Sequence, residues 1–361
     1  MHNDPLMAAS NTRGGTAVTL RDVARVAGVH PATVSRALNE ETRALVNAET
    51  ARRVLKAAEE LGYQPNPIAR GLRTNRSFTI GVLIPDLTNP LFPPILRGIE
   101  DGLETAGYTP LVANTDNDPE RELLDLQAMR ARQVDGIVAA TARRDHRLHD
   151  ELLEAGLELV LVNRRQPELP VSSAAADDGM GMRLAVEHLL SLGHTRIAHL
   201  AGPLDYSTGL DRYESFHATM RAAGIEPEAG LVRVAEAFTE AEGARLCEEL
   251  ITERRELTAI AAANDLLALG CYDVFAEHGV RCPDDVSVVG FNDMPFADRF
   301  QPPLTTIHIP HYEIGAAAAE LMLERLQDGE AERRQIRLEP RLVVRGSTGP
   351  AAGVGRAPKP A

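Results

Sequence analysis

Leu20, Val23, Ala24 and Ala27 recur at i, i+3, i+4 and i+7, which places one apolar stripe on a short helix. Gly28 follows where a residue without a Cβ closes a helix, and Pro31 stands where a new one begins. Val34, Ala37 and Leu38 give this second helix a buried face, leaving Thr33, Ser35 and Arg36 polar. Two helices joined by so tight a turn make a helix-turn-helix, a unit whose second helix can enter the major groove of DNA. The spacing predicts a third helix over 47–61, with Asn47 as its N-cap and Gly62 closing it. Residues 64–76 then form a proline-marked connection with room for a single helical turn.

Beyond Arg76 the pattern changes. Apolar runs of strand length at 78–85, 109–114, 136–141 and 158–163 alternate with helical stretches near 91–106, 118–132 and 147–155. A second series has runs at 196–201, 231–237, 259–263 and 286–291, with helices near 179–192, 211–223, 240–253 and 265–278. Strands alternating with helices imply parallel sheets covered on both faces, and two series imply two lobes. Such sheets bind ligands at the carboxyl ends of their strands, so the predicted site is the cleft between the lobes. Polar residues gather at those ends, in 86–89, Asp116, Asn163-Arg164, Asn264-Asp265 and Asn292-Asp293. Loops are polar in general; five sets at equivalent positions favour a cleft.

Charge sharpens the division. The net charge is −14, yet residues 1–76 hold 11 Lys+Arg against 7 Asp+Glu, and residues 77–361 hold 27 against 45. A basic amino-terminal module on an acidic body is the asymmetry of a chain that meets phosphate with one part only. Three cysteines without metal-ligand spacing suit a reducing compartment, and neither a metal nor a cofactor is expected. There is no apolar run long enough to span a membrane, and the N-terminus lacks the basic start and apolar middle of a secretory signal; a cytoplasmic protein is expected. Asp178-Gly179-Met180-Gly181 offers a G-x-G without a third glycine at the dinucleotide spacing. No G-x-S-x-G, P-loop or H-E-x-x-H follows, so no catalytic residue is assigned. The rival readings are an enzyme and a soluble sugar-binding protein of the transport type, with no role at DNA.

The ordered set Thr19-Leu20-x-Asp22-Val23-Ala24, Ala27-Gly28-Val29, Thr33-Val34-Ser35-Arg36, Leu38-Asn39, Leu61-Gly62-Tyr63-x-Pro65-Asn66 and Ala69-x-x-Leu72 resembles the headpiece and hinge of the LacI/GalR (lactose-repressor) family of bacterial transcription regulators. Asn89-Pro90-x-Phe92, Gly202-Pro203, Arg212, Asn264-Asp265, Gly290-Phe291-Asn292-Asp293 and 343–347 resemble its regulatory domain. The resemblance covers roughly residues 18–348. It implies an all-α helix-turn-helix headpiece followed by an α/β two-lobed, periplasmic-binding-protein-like domain with doubly wound parallel sheets. The divisions it implies are a disordered arm (1–17), a DNA-binding domain (18–63), a hinge (64–76), a ligand-binding and dimerisation domain (77–348) and a disordered tail (349–361). Within 77–348, lobe 1 takes about 77–177 and 308–338, and lobe 2 about 178–307 and 339–348.

The same resemblance implies a homodimer on pseudo-palindromic operator DNA. Pro31, Ala32 and Arg36 take the base-reading positions; Arg36 can pair with a guanine edge or clamp a phosphate, whereas Pro31 and Ala32 can read only shape or a thymine methyl. Thr33 and Ser35 are assigned to phosphates. His30 replaces the usual Ser or Thr cap, which leaves a cap or a phosphate contact open. Thr19, Asn39, Tyr63, Asn66, Ala69 and Arg73 complete the DNA set, and Leu72 matches the leucine wedged into the minor groove. Residues 40–45 lengthen a loop, with Glu40 and Glu41 expected toward solvent and Arg43 toward the DNA backbone. The implied effector is a small molecule, a sugar or sugar derivative, held by Asn89, Phe92, Asp116, Asn163, Arg164, Arg212, Phe238, Asn264 and Asn292. Arg212 could instead be a surface cation, and Phe92 and Phe238 could be core. Asparagine where the family often has aspartate, at 163 and 292, disfavours a cationic ligand. Asp293 is expected to be structural.

Overall fold

A computed structural model describes residues 18–63, 76–144, 156–253 and 256–351, with the side chains of 40 and 41 outside that description. The chain divides into two compact units at Ser77/Phe78.

In the first unit, α1 (Leu20–Ala27) opens at Thr19, whose backbone N–H and hydroxyl donate to the Asp22 carboxylate at 3.0 and 2.7 Å. These bonds hold the Asp22 pKa down to about 2. Gly28 closes the helix at φ 64°. α2 (Pro31–Leu38) begins at His30, whose Nδ1 accepts the Ala32 N–H at 3.2 Å, so the imidazole performs the cap that a hydroxyl usually performs. The stretch expected as a loop contains α3 (Glu40–Arg43). The Arg43 Nε donates to the Ala37 carbonyl at 3.0 Å, and the Thr42 hydroxyl donates to the Arg36 carbonyl at 3.0 Å, satisfying the open C-terminal end of α2. α4 (Ala48–Glu60), capped by Asn47, completes the bundle, and Val23, Val34 and Val54 are fully buried at its centre.

The second unit carries two six-stranded sheets. The first contains β1 (Thr79–Ile84), β2 (Thr109–Asn114), β3 (Gly136–Ala139), β4 (Glu158–Val162), β5 (Ser172–Ala176) and β11 (Gln335–Leu338), in the order β11-β5-β4-β3-β1-β2. The second contains β6 (Ile197–Ala201), β7 (Val232–Val234), β8 (Ala259–Ala262), β9 (Ser287–Asn292), β10 (Thr305–His308) and β12 (Arg341–Val343), in the order β12-β10-β9-β8-β6-β7. Pairing is parallel except between β10 and β12. Helices α5 (Phe92–Glu104), α6 (Pro119–Ala131) and α11 (His311–Gln327) belong to the first lobe. The second lobe takes α7 (Asp178–Ser191), α8 (Ser207–Ala222), α9 (Glu240–Thr252) and α10 (Asp265–His278). The helix expected near 147–155 lies outside the described residues.

The chain passes between lobes after β5, after β10 and after β11, and the first and third passages are joined by the Asp177 N–H donating to the Leu338 carbonyl at 3.0 Å. α5 and α11 cross so closely that a Cβ on Gly98 would collide with the Tyr312 carbonyl. Gly181, of the G-x-G, sits against the Phe291 ring, where an added Cβ would lie 2.5 Å from a ring carbon; its smallness serves packing. Residues 349–351, grouped by composition with the tail, are fixed in place. The Ala351 N–H donates to the Leu192 carbonyl and His194 Nε2 bonds the Gly349 carbonyl, both at 2.9 Å. The rest of that tail lies outside the described residues. Among the described residues no helix is long and apolar enough to cross a membrane.

Candidate functional site

On the first unit, α2 buries Val34 and Ala37 and thereby turns Ala32 and Arg36 to the exterior, with Pro31, Thr33 and Ser35 half-exposed beside them. His30 is exposed at the start of this face and Thr19 at the start of α1. Asn39, half-buried, ends α2 by donating its N–H to the Ser35 carbonyl. The Tyr63 ring packs against the bundle core, which pushes its phenol pKa up through burial. Asn66, Ala69, Leu72 and Arg73 lie outside the described residues.

On the second unit, the carboxyl ends of the strands meet across a cleft of about 680 Å³ including its open mouth, the place where parallel sheets present ligand sites. Asn89, Phe92, Asn163 and Arg164 reach its wall from the first lobe; Arg212, Phe238, Asn264 and Asn292 reach it from the second. Asp116 does not. It pairs with Arg121 on the exposed outer turn after β2, and the next residue, Asn117, takes the wall. Asp86, Tyr206, Thr208 and Glu236 also line the cleft. Tyr206 was legible as an aromatic just beyond a strand end, whereas nothing in Asp116-Asn117-Asp118 says which side chain turns inward.

Several wall residues also hold the backbone. Asn89 accepts the Leu91 N–H at 3.1 Å, and Asn264 caps α10 by accepting the Leu267 N–H at 2.8 Å. Asn163 and Asn292 end β4 and β9 at φ 65° and 110°, a region asparagine enters more readily than most residues. The Asn292 Oδ1 is buried with no hydrogen-bond partner, an acceptor facing a site where a ligand donor would satisfy it. Arg212 is no surface cation. Only 3% of its side chain is exposed; Nε and Nη2 donate to Asp178 at 2.8 and 2.6 Å and Nη1 to the Ala263 carbonyl at 2.6 Å. Its guanidinium lies 3.8 Å from the Phe291 ring centroid. Burial pushes the Asp178 pKa up while Arg212 opposes the shift. Asp293 pairs with Arg345 at 2.6 Å and meets His308 at 3.1 Å, a structural role.

Arginines of the first lobe latch onto the second along one side of the cleft. Arg165 donates from Nε and Nη2 to Asp211 at 3.1 and 2.5 Å, and its backbone N–H donates to the Ser207 hydroxyl at 2.9 Å. Arg143 pairs with Asp205 at 2.7 Å. Between them Arg164 stacks on Tyr206, 3.6 Å from the ring centroid. The arrangement can enclose a polar molecule and tie its capture to lobe closure.

Comparison with known proteins agrees with both units. Residues 19–66 match the family described as bacterial regulatory proteins, lacI family, and residues 186–348 match the periplasmic binding protein-like domain. The ribose operon repressor of Halalkalibacterium halodurans is 35% identical over 91% of this chain and 97% of its own. The transcriptional repressor PurR of Photobacterium profundum is 35% identical over 91% and 98%. Among solved structures, the lac repressor dimer bound to operator and the anti-inducer ONPF superposes with a TM-score of 0.82 at 29% identity, covering 92% of this chain and 100% of that one. The CelR–cellobiose complex follows at a TM-score of 0.71 and 31% identity, covering 91% and 99%. Head, body and extent of similarity agree: the chain belongs to the LacI family of bacterial regulatory proteins, as a DNA-binding transcription regulator with a periplasmic-binding-protein-like effector domain.

Proposed function

We propose that this regulator is a homodimeric repressor that holds a pseudo-palindromic operator through paired α2 helices and releases or grips it according to a sugar or sugar derivative bound in the interlobe cleft. The convergence of amides, guanidinium groups and aromatic rings from both lobes on one cleft carries this reading. Rings bind the apolar faces of a sugar, while amides that donate and accept match its hydroxyls. Relatives support the ligand class: one is named a ribose operon repressor, and solved neighbours hold cellobiose and ribose. At the DNA, Arg36 takes a guanine edge, a bidentate pair giving about 1–3 kcal/mol of discrimination. Pro31 and Ala32 read shape or a thymine methyl, and His30, Thr33, Ser35 and Asn39 position the backbone. Thr19, Tyr63, Asn66, Ala69 and Arg73 complete the footprint, and Leu72 enters the minor groove. Two-fold pairing follows from the small number of bases that one head contacts. The protein works in the cytoplasm, associated with the nucleoid through its operator.

Closure favours the lobe arrangement that binds ligand, and only a ligand with different affinity for the two arrangements can shift DNA binding. The test is selection of a duplex by the purified chain, followed by titration of pentoses, hexoses and disaccharides against operator binding, read by fluorescence anisotropy. A sugar that changes operator affinity at least fivefold supports the proposal, and the direction of change distinguishes inducer from corepressor. Failure to select any duplex removes the DNA half; bound sugar without a change in operator affinity removes the switch.

A further inference from the structure

Among the described residues three arginines are buried: Arg164, Arg212 and Arg325. Arg212 lies on Asp178 and Arg325 on Glu158, in each case with a nitrogen within 2.7 Å of a carboxylate oxygen. Arg164 pairs with no carboxylate among the described residues. Its side chain donates to the Thr141 carbonyl at 3.3 Å and to the Asn117 Oδ1 at 3.4 Å, both long; Tyr206 adds its ring face and a side-chain hydrogen bond, and Asp205 and Glu122 attract it without forming an ion pair. It is also one of the two that line the cleft. A buried charge without a direct ion pair is costly, and here the attraction of Asp205 and Glu122 offsets burial only in part. Burial pushes the Arg164 pKa down to about 10, whereas Glu158 raises that of Arg325.

The neighbouring carboxylates are engaged elsewhere. Asp205 pairs with Arg143, Asp211 pairs with Arg165, and Glu122 accepts the Thr141 hydroxyl. Two carboxylates line the cleft itself. Asp86 follows β1, two places from β4 in the sheet and so roughly 10 Å away at ordinary strand spacing; its Oδ1 accepts the Thr88 N–H and hydroxyl. Glu236 follows β7, at the far edge of the other sheet. The side chains at 163 and 292, which also line the cleft, are amides and bring no charge.

We infer that the effector carries an anionic group, a phosphate ester or a carboxylate on a polyhydroxylated frame, and that Arg164 is the residue that receives it. The inference rests on the sugar-binding reading of the cleft and narrows it. Guanidinium suits the role, because its planar fork donates two parallel hydrogen bonds to either oxyanion and stays charged when desolvated. The Tyr206 ring holds the fork from one face, and the long bonds to Thr141 and Asn117 are ones that a ligand oxyanion can replace or share.

The test uses the full chain and isothermal titration with matched probes: D-ribose against D-ribose 5-phosphate, D-glucose against D-glucose 6-phosphate and D-gluconate, and inorganic phosphate alone. At least one acid should bind tenfold or more tightly than its neutral parent, and the phosphate and carboxylate arms identify the oxyanion. Arg164→Met should abolish that advantage, and Arg164→Lys, which keeps the charge without the fork, should retain part of it. Neutral sugars binding as tightly as every acid would overturn the anionic assignment while leaving the sugar reading intact. An acid advantage surviving in both variants would overturn the role of Arg164. Inorganic phosphate binding lost in Arg164→Met, with no sugar bound, would support the anion site and retire the sugar reading; no binding of any probe would overturn both.

Discussion

Replacing Arg212 with methionine isolates the most consequential buried charge in the effector domain. The substitution keeps most of the side-chain volume and removes the two donors held by Asp178 and the one held by the Ala263 carbonyl. Asp178 is itself only 3% exposed, so its carboxylate loses its ion-pair partner and keeps only the more distant attraction of Arg165. Breaking a buried pair from one side costs about 3–5 kcal/mol. The position of Asp178 in the first turn of α7 returns about 0.3–1 kcal/mol through the helix dipole, so a loss of about 2–5 kcal/mol is expected. Arg212→Met with Asp178→Leu should recover most of it, because exchanging a whole buried pair for apolar residues is close to neutral. Urea unfolding of the ligand-free chain, followed by far-ultraviolet circular dichroism, measures all three variants. The variant has a pH signature. Burial already raises the Asp178 pKa above its usual 3.8, and without Arg212 the rise is larger. A carboxyl raised in the folded state binds its proton more tightly there, so the associated stability is present at low pH and lost as pH rises through the folded-state value. Arg212→Met should therefore be less impaired at pH 5 than at pH 8. A single-variant loss below about 1 kcal/mol, or a double variant as unstable as the single, would refute the reasoning.

Asp211→Asn should weaken the latch with Arg165 by about 1 kcal/mol, roughly a fivefold shift toward open lobes, seen as a larger radius of gyration in solution scattering. His30→Ala should destabilise the first unit by about 1 kcal/mol in thermal unfolding, whereas His30→Ser should not, since the hydroxyl restores the cap. Gly98→Ala should cost about 1–3 kcal/mol in the unfolding of the effector domain, because the new methyl meets the α11 backbone rather than a movable side chain.

The head was readable because its local signals agree: Gly28, Pro31 and Asn47 punctuate helices whose apolar stripes have one period. The cap at His30 was not, since nothing in the residue type says that Nδ1 will face the Ala32 N–H. The bond from Arg43 to the open Ala37 carbonyl at the end of α2 was not legible either, since its charge pointed only to phosphate. In the body, β5 is Ser-Ser-Ala-Ala-Ala, fully buried yet without the bulky branched residues that mark a strand. α11 was not among the expected helices, although Ile314, Ala318, Leu321, Met322 and Arg325 lie at helical spacing and are buried. At the cleft, strand ends were visible from the alternation of elements, but the left-handed residues Asp116 and Asn117 decide which side chain faces inward, and such backbone turns leave no mark in composition.

The triple passage between the lobes bears on what kind of movement a ligand can drive. A lone tether would let the halves swivel in any direction, and the energy of capture would dissipate among many poses. Three tethers, two of them stitched together at Asp177 and Leu338, leave a door-like rotation as the soft motion. A molecule of a few ångströms seated near that pivot can then be felt as a directed displacement at the outer edge of the first lobe.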